Sequence, residues 1–261
     1  MQSSNRPVAL VTGASSGIGA ALARELARRG HDLVLSARNL APMEVLAEEL
    51  RALAAAVTVI PADLAKAGAA AALVREIEAV GIEIDMLVNN AGLGAIGQFA
   101  RISDERNVEI MQVNIVALTE LTRLLLPPML ARRRGTIMLV ASTASFLPVP
   151  NMAVYAASKA YVRSFGEALA QELAGSGVLV NVLCPGTTAT NFFEVAGSLP
   201  SALQAARMMS ADSVARIGYG GIARGRRVTV AGWANRALAF FATHIPHFLT
   251  LPAAARVMGR D

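Results

Sequence analysis

Short apolar runs alternate along this chain with longer stretches whose apolar residues return every three or four positions. The runs Pro7–Thr12, Asp32–Ser36, Val57–Ile60, Ile84–Asn89, Gly135–Ala141 and Val178–Leu183 are short and continuous, which predicts buried strands. The periodic stretches predict helices over Ala20–Arg29, Met43–Ala54, Ala67–Val80, Asp104–Leu130 and Ala153–Ala174, the first closed by Gly30. Strands alternating with helices build βαβ units, so the expectation is an α/β fold whose parallel sheet is covered on both faces. Past Gly186 the pattern loosens. Arg226–Ala231 is a candidate seventh strand, and Ala234–Met258 reads as one or two apolar, basic helices interrupted at Pro246 and Pro252. No linker, repeat or low-complexity segment divides residues 1–261, so a single domain is expected.

Composition narrows this picture. With 54% apolar and 16% charged residues, the 261-residue chain is too apolar for disorder and long enough for a large core. The single Cys184 excludes an intrachain disulfide, and Met1–Pro7 is polar, without a signal-peptide core. No stretch of about 18 apolar residues is free of charge, so the expectation is a soluble, cytoplasmic protein without a membrane-spanning helix. The formal charge of +5 is uneven: from Leu203 onward eight Arg face Asp212 and Asp261, giving +6 and leaving −1 for the rest. A basic end can mark nucleic acid or anionic lipid. Without interleaved aromatics or a nucleic-acid motif, no nucleic-acid partner is expected. His244 and His247 have no evident third ligand, so no metal site is expected either.

The chemistry gathers where strands end. In an open parallel sheet ligands collect at the C-terminal strand edge, and Gly13, Asn90, Ser142 and Pro185 all fall there. Gly13-Ala-Ser-Ser-Gly17-Ile-Gly19 links the first strand to a helix, a context in which glycines let the backbone turn sharply and approach a pyrophosphate at the helix N-terminus. The second strand ends Ser36-Ala37-Arg38, with no carboxylate for a ribose 2′-hydroxyl and a guanidinium available for a 2′-phosphate. That combination favours NADP(H) over NAD(H).

Tyr155 and Lys159 lie four residues apart in a helix-favouring run, and Lys159 is one of only two lysines in the chain. Helical spacing puts both side chains on one face. At an effective dielectric of about 20, an ammonium about 5 Å away favours a phenolate by ~3 kcal/mol, or about two pKa units. The expectation is a tyrosine whose pKa is depressed by its lysine.

Taken together, Thr12-Gly-Ala-Ser-Ser-Gly-Ile-Gly19, Asn89-Asn-Ala-Gly92, Asn114, Ser142, Tyr155-x-x-x-Lys159 and Pro185-Gly186 resemble, in order and spacing, the short-chain dehydrogenase/reductase family over residues 7 to about 190. The resemblance implies a Rossmann-type, doubly wound, mainly seven-stranded parallel sheet. It implies that Tyr155 is the general acid/base, that Ser142 hydrogen-bonds the carbonyl oxygen, and that Lys159 holds the nicotinamide ribose. Asn114 would support a water in the proton relay. The implied cofactor contacts are Gly13, Ser15, Ser16, Gly17, Ile18 and Gly19 around the pyrophosphate, with Arg38 on the 2′-phosphate. Asp63 and Leu64 fall at the adenine, and Asn90, Ala91 and Gly92 on the adenosine side. Tyr155, Lys159, Pro185, Gly186, Thr188 and Thr190 complete the set around the nicotinamide and phosphates. The cofactor would be NADP(H), the substrate a small apolar carbonyl compound or alcohol, and the assembly a homo-oligomer, dimeric or tetrameric.

One departure stands out. Bacterial 3-oxoacyl carrier-protein reductases of this family end in a Gly-Gly-containing seventh strand, whereas this chain has Val228-Thr-Val-Ala-Gly-Trp233 and an apolar tail. Within the enzyme reading, a 3-oxoacyl thioester reductase and a hydroxysteroid or secondary-alcohol dehydrogenase both stay open, since specificity lies in the loops 93–99, 146–152 and 192–209. The rival class is a non-catalytic dinucleotide sensor or scaffold on the same fold. The layout is then a nucleotide-binding core (7–190), a substrate-loop region (191–225) and an apolar extension (234–261). The extension carries too many apolar residues for water. It is expected to pack over the substrate cleft or a dimer mate, with a membrane surface as the lesser reading.

Overall fold

The computed structural model describes residues 6–53, 55–197 and 208–257. In chain order the elements are β1 (Val8–Thr12), α1 (Gly17–Arg28), β2 (Asp32–Ser36), α2 (Leu40–Arg51), β3 (Val57–Val59), α3 (Ala69–Ala79) and β4 (Met86–Asn89). Then follow α4 (Asp104–Met111), a π-helical turn (Gln112–Ala117), α5 (Leu118–Ala131), β5 (Gly135–Val140), α6 (Ala153–Glu172) and β6 (Val178–Cys184). The last part holds β7 (Thr188–Ala189), α7 (Phe192–Val195), β8 (Met209–Ser210), α8 (Ala211–Ala223), β9 (Val228–Val230), α9 (Trp233–His244) and α10 (His247–Val257).

Seven strands form one parallel sheet in the order β3-β2-β1-β4-β5-β6-β9, so the expected seventh strand exists, shortened to three residues. The chain winds outward from β1 through β2 to β3, then crosses back to place β4 on the other side of β1. That reversal makes the β1/β4 boundary the switch point of a doubly wound sheet. Register from Val8↔Asp32 to Thr12↔Ser36 brings β1 and β2 to the same edge, and Ala9↔Met86 to Val11↔Val88 does the same for β4.

Both faces of the sheet are buried, which is why its strands read as continuous apolar runs. Leu10, Val34, Leu87, Ile137 and Leu139 point to one face, where they meet Leu73 of α3, Leu121 of α5 and Val162 of α6. Their neighbours Ala9, Val11, Leu33, Leu35, Val88 and Met138 point to the other, against Leu22 and Leu26 of α1, Met43 of α2 and Val214 of α8. The side-chain period of two thus feeds two separate cores.

The long helical stretch is less uniform than its pattern. Ser103 caps α4, its side chain accepting from Arg106 N, but the turn from Gln112 to Ala117 widens to π geometry before α5 resumes. Among the described residues, Asp104–Ala131 is the one helix long and apolar enough to cross a membrane. Leu118, Leu121, Leu125 and Met129 are buried in the fold, so it serves as a core helix. In the loosely patterned region, β7 and β8 pair through Thr188↔Met209 and Ala189↔Ser210, a small second sheet that two-residue strands cannot announce in sequence. Leu199, Leu203 and Met258 lie outside the described residues.

Candidate active site

The glycine turn is built by backbone need. Gly13 and Gly17 adopt φ of +65° and +56°, the left-handed region that side chains disfavour. Gly19 has ordinary dihedrals, yet a Cβ there would run into the Gly13 carbonyl oxygen and come within 2.5 Å of Asn90 Nδ2. The turn is pinned across the switch point: Asn90 Nδ2 donates to Thr12 O at 2.9 Å and Gly13 O at 3.3 Å. Thr12 Oγ1 accepts from the amides of Asn90 and Ala91, both at 3.1 Å, and donates to Val88 O. The Asn90 amide therefore splints the turn. The α1 N-terminus has no acidic residue in its first turn and no side-chain cap on Ser16, an end that suits an anion.

Ser142, two residues past the end of β5, accepts from Ala144 N at 3.1 Å, opening a short 3₁₀ turn. Thr143 N donates to Pro185 O at 2.8 Å, which fixes the β5 edge to the β6 edge. Tyr155, on the first turn of α6, is buried and shares a hydrogen bond with Ser142. Lys159, one turn on, is also buried, its Nζ donating to Val140 O at 2.8 Å and lying 5.9 Å from the centre of the Tyr155 ring.

The electrostatics of this pair differ from the expected depressed tyrosine. Burial raises the Tyr155 pKa above the ordinary tyrosine value, and the Ser142 hydrogen bond only partly opposes it. Burial also lowers Lys159, from 10.5 to about 8. Helical spacing brings the two side chains to one face as anticipated. But attraction between the two charges is only one part of the balance, and inside the fold desolvation of each charged form outweighs it. Cys184, buried beside Ser145, is likewise pushed up to about 12 by burial and is no nucleophile.

Asn114 sits within the π turn, fully buried. Its Oδ1 accepts from Leu93 N at 2.8 Å, while Nδ2 donates to Leu93 O and to Ser158 Oγ, both at 2.9 Å. Its three bonds go to the protein and join the β4 loop to α6, one residue from Lys159.

A cavity of about 650 Å³ runs along this sheet edge. Ser15, Ser16, Ile18, Arg38, Asp63, Leu64, Ala91, Gly92, Ser142, Tyr155, Lys159, Pro185, Gly186, Thr188 and Thr190 all line it, as do Gly13, Gly17 and Asn90. Of the residues carried over as catalytic or cofactor-binding only Gly19 and Asn114 do not, and both contact residues that do, Gly19 beside Gly13 and Asn90 and Asn114 bonded to Leu93. One contribution was missed. Ser36 lines the cavity with a buried hydroxyl that has no hydrogen-bond partner, beside the exposed Arg38. From the tail, Leu238, Phe241, Ala242 and Ile245 close one wall, and Asn235 packs against Gly186. The tail was expected over the substrate cleft or a dimer mate, and the i, i+3, i+4, i+7 spacing of Leu238, Phe241, Ala242 and Ile245 sets one helix face on the cleft.

The chain matches the family model of the short chain dehydrogenases over residues 7–198. It is 37% identical over 190 residues to an uncharacterised oxidoreductase of Myxococcus xanthus, covering 71% of this chain and 75% of that protein. Among solved structures it is similar to a short-chain dehydrogenase from Sphingobium yanoikuyae in complex with NADPH, with TM-score 0.80, 33% identity and 98% of each chain covered. It is also similar to a Burkholderia phymatum short-chain dehydrogenase/reductase in complex with NAD, with TM-score 0.81, 29% identity and coverage of 92% and 94%.

Proposed function

We propose, because the chain belongs to the short-chain dehydrogenase family, that it is an NADP(H)-dependent oxidoreductase acting on a carbonyl group or secondary alcohol of a largely apolar compound. The family membership carries the nicotinamide-dependent oxidoreductase activity; the phosphate preference and the substrate rest on the residues of the cavity. One observation bears most of the weight: Ser142, Tyr155 and Lys159 come together in the same cavity as the glycine turn. The residues suit a dinucleotide. Gly13 and Gly17 take the left-handed φ of a sharp turn, the α1 N-terminus carries neither a side-chain cap nor an acidic first turn, and the unpartnered Ser36 hydroxyl lies beside Arg38 where a carboxylate would repel a 2′-phosphate.

When bound, the nicotinamide supplies or accepts the hydride. The chain handles the proton. Tyr155, held protonated by burial, gives its phenolic proton to the developing alkoxide, and Ser142 donates a hydrogen bond to the same oxygen. At neutral pH a lysine with pKa about 8 is still mostly an ammonium, so Lys159 offers positive charge beside the tyrosine as its proton leaves. The apolar residues Leu147, Val149, Phe192, Phe193, Leu238 and Phe241 line the cavity with an apolar surface that favours an apolar substrate.

The test is NADPH oxidation across a panel of simple ketones, aryl ketones, steroid ketones and 3-oxoacyl thioesters, with dissociation constants for NADPH and NADH measured alongside. Turnover on at least one class and NADPH binding at least about tenfold tighter are expected, a difference of ~1.4 kcal/mol that one charge-assisted hydrogen bond supplies. Tight dinucleotide binding without turnover on any class would replace the enzyme with a dinucleotide sensor.

A further inference from the structure

We propose that Phe192, seated on Gly94 and latched by Arg106, closes one flank of the catalytic cleft. The preferred substrates would then be ketones or secondary alcohols with one small, methyl-sized substituent on the reacting carbon. The inference rests on the carbonyl-reductase reading of the site and adds the shape of its substrate.

Phe192 opens the short helix α7, and its ring lies 5.1 Å from that of Tyr155, tilted by 48°. The same ring fills the space over Gly94: a Cβ built there would come 2.6 Å from Phe192 Cζ and 3.4 Å from Tyr155 Cδ2. Gly94, Phe192 and Tyr155 are therefore in mutual contact, and the volume beside the phenol on that side is taken by an aromatic ring. Phe193 braces it edge-on at 5.9 Å.

What holds α7 in this place is a cation from a distant element. Arg106 Nη2 donates to Gly94 O at 2.7 Å and to Val195 O at 3.2 Å, bridging the β4 loop to the last residue of α7. Its Nη1 is fixed by Glu109 Oε2 at 3.1 Å. Ile96 N adds a bond to Ala196 O at 3.0 Å across the same seam. A planar guanidinium can serve two carbonyls and a carboxylate at once, which a lysine cannot match in geometry. Arg106 is thus a positioning residue, acting on the substrate through Phe192. The remaining apolar lining, from Leu147, Val149, Leu238, Phe241 and Ile245, is free to take the larger substituent.

The experiment compares kcat/KM for acetophenone, with a methyl flank, and pivalophenone, with a tert-butyl flank, using NADPH. Wild type is expected to favour acetophenone by at least about tenfold. Phe192→Ala is expected to narrow that ratio by about tenfold, a ratio of ratios from which the ketones' own reactivities cancel. Arg106→Ala should narrow it too, raising KM for acetophenone more than it lowers kcat, and Arg106→Lys should recover part of the KM. Gly94→Ala should displace Phe192 and lower turnover, and the added Phe192→Ala should restore it. Circular-dichroism melting identifies a variant that has not folded, in which case Phe192→Leu takes the place of Phe192→Ala. If wild type reduces no ketone, the reading of the cleft falls and the filter with it. If wild type is active but the ratio is unmoved in the folded Phe192 variant, or Gly94 and Phe192 act additively, the reading stands and the filter is wrong.

Discussion

Replacing Lys159 by Met should make the protein more stable at neutral pH while removing its activity. Lys159 is buried, and burial moves its pKa from 10.5 to about 8. Below pH 8 the folded protein holds an ammonium out of water that the unfolded chain would hydrate. The shift from 10.5 to about 8, at 1.36 kcal/mol per unit, amounts to about 3 kcal/mol of lost stability. Between pH 8 and 10.5 the unfolded state binds more protons at this site than the folded one, so stability rises with pH and the penalty shrinks. Methionine keeps an unbranched chain of similar length but gives up the Nζ bond to Val140 O, worth about 1 kcal/mol. The expected gain is therefore about 2 kcal/mol at pH 7, falling to near zero by pH 10. Urea unfolding of both proteins at pH 7, 8.5 and 10 reads the difference directly. A variant no more stable than wild type at pH 7, or a margin that does not shrink towards pH 10, would refute the reasoning.

Three other outcomes are expected. Tyr155→Phe should lower kcat by about a hundredfold or more, the range of general acid–base catalysis, while the NADPH dissociation constant by fluorescence titration stays near wild type. Retention of more than a few per cent of kcat would remove Tyr155 from the proton transfer. Arg38→Asp should shift the ratio of NADPH to NADH affinity by at least about tenfold towards NADH, and an unchanged ratio would make Arg38 a bystander. Gly19→Ala drives a Cβ into the Gly13 carbonyl, a backbone atom that cannot swing aside. It should cost about 1–3 kcal/mol in urea unfolding and weaken dinucleotide binding, and a variant with wild-type affinity would show that the turn is not pinned as described.

The binary pattern determined the fold class on its own, because strand and helix periods are local properties of the chain. Runs such as Val8–Thr12 could be read as buried parallel strands since both faces of that sheet are covered, and the residues at their C-terminal ends followed by topology. The tyrosine–lysine and glycine motifs were legible for the same reason: Tyr155 and Lys159 are neighbours by helical spacing wherever the helix goes. Tertiary structure decided what depends on segments far apart in sequence. Pair attraction predicted a depressed Tyr155, and the reversed sign came from burial, to which no local pattern speaks. Asn90 and Asn114 were recognisable as motif residues, yet their bonds to Thr12, Gly13, Leu93 and Ser158 required the switch point and the π turn to form. The stripe Leu238, Phe241, Ala242, Ile245 was visible as a helix face, but only folding put it on the cavity wall. The Arg106 latch joins Gly94 to Val195 across 12 and 89 residues of chain. Contacts of that kind are fixed by how packed elements meet, so they become definite only when the sheet and its helices close around them.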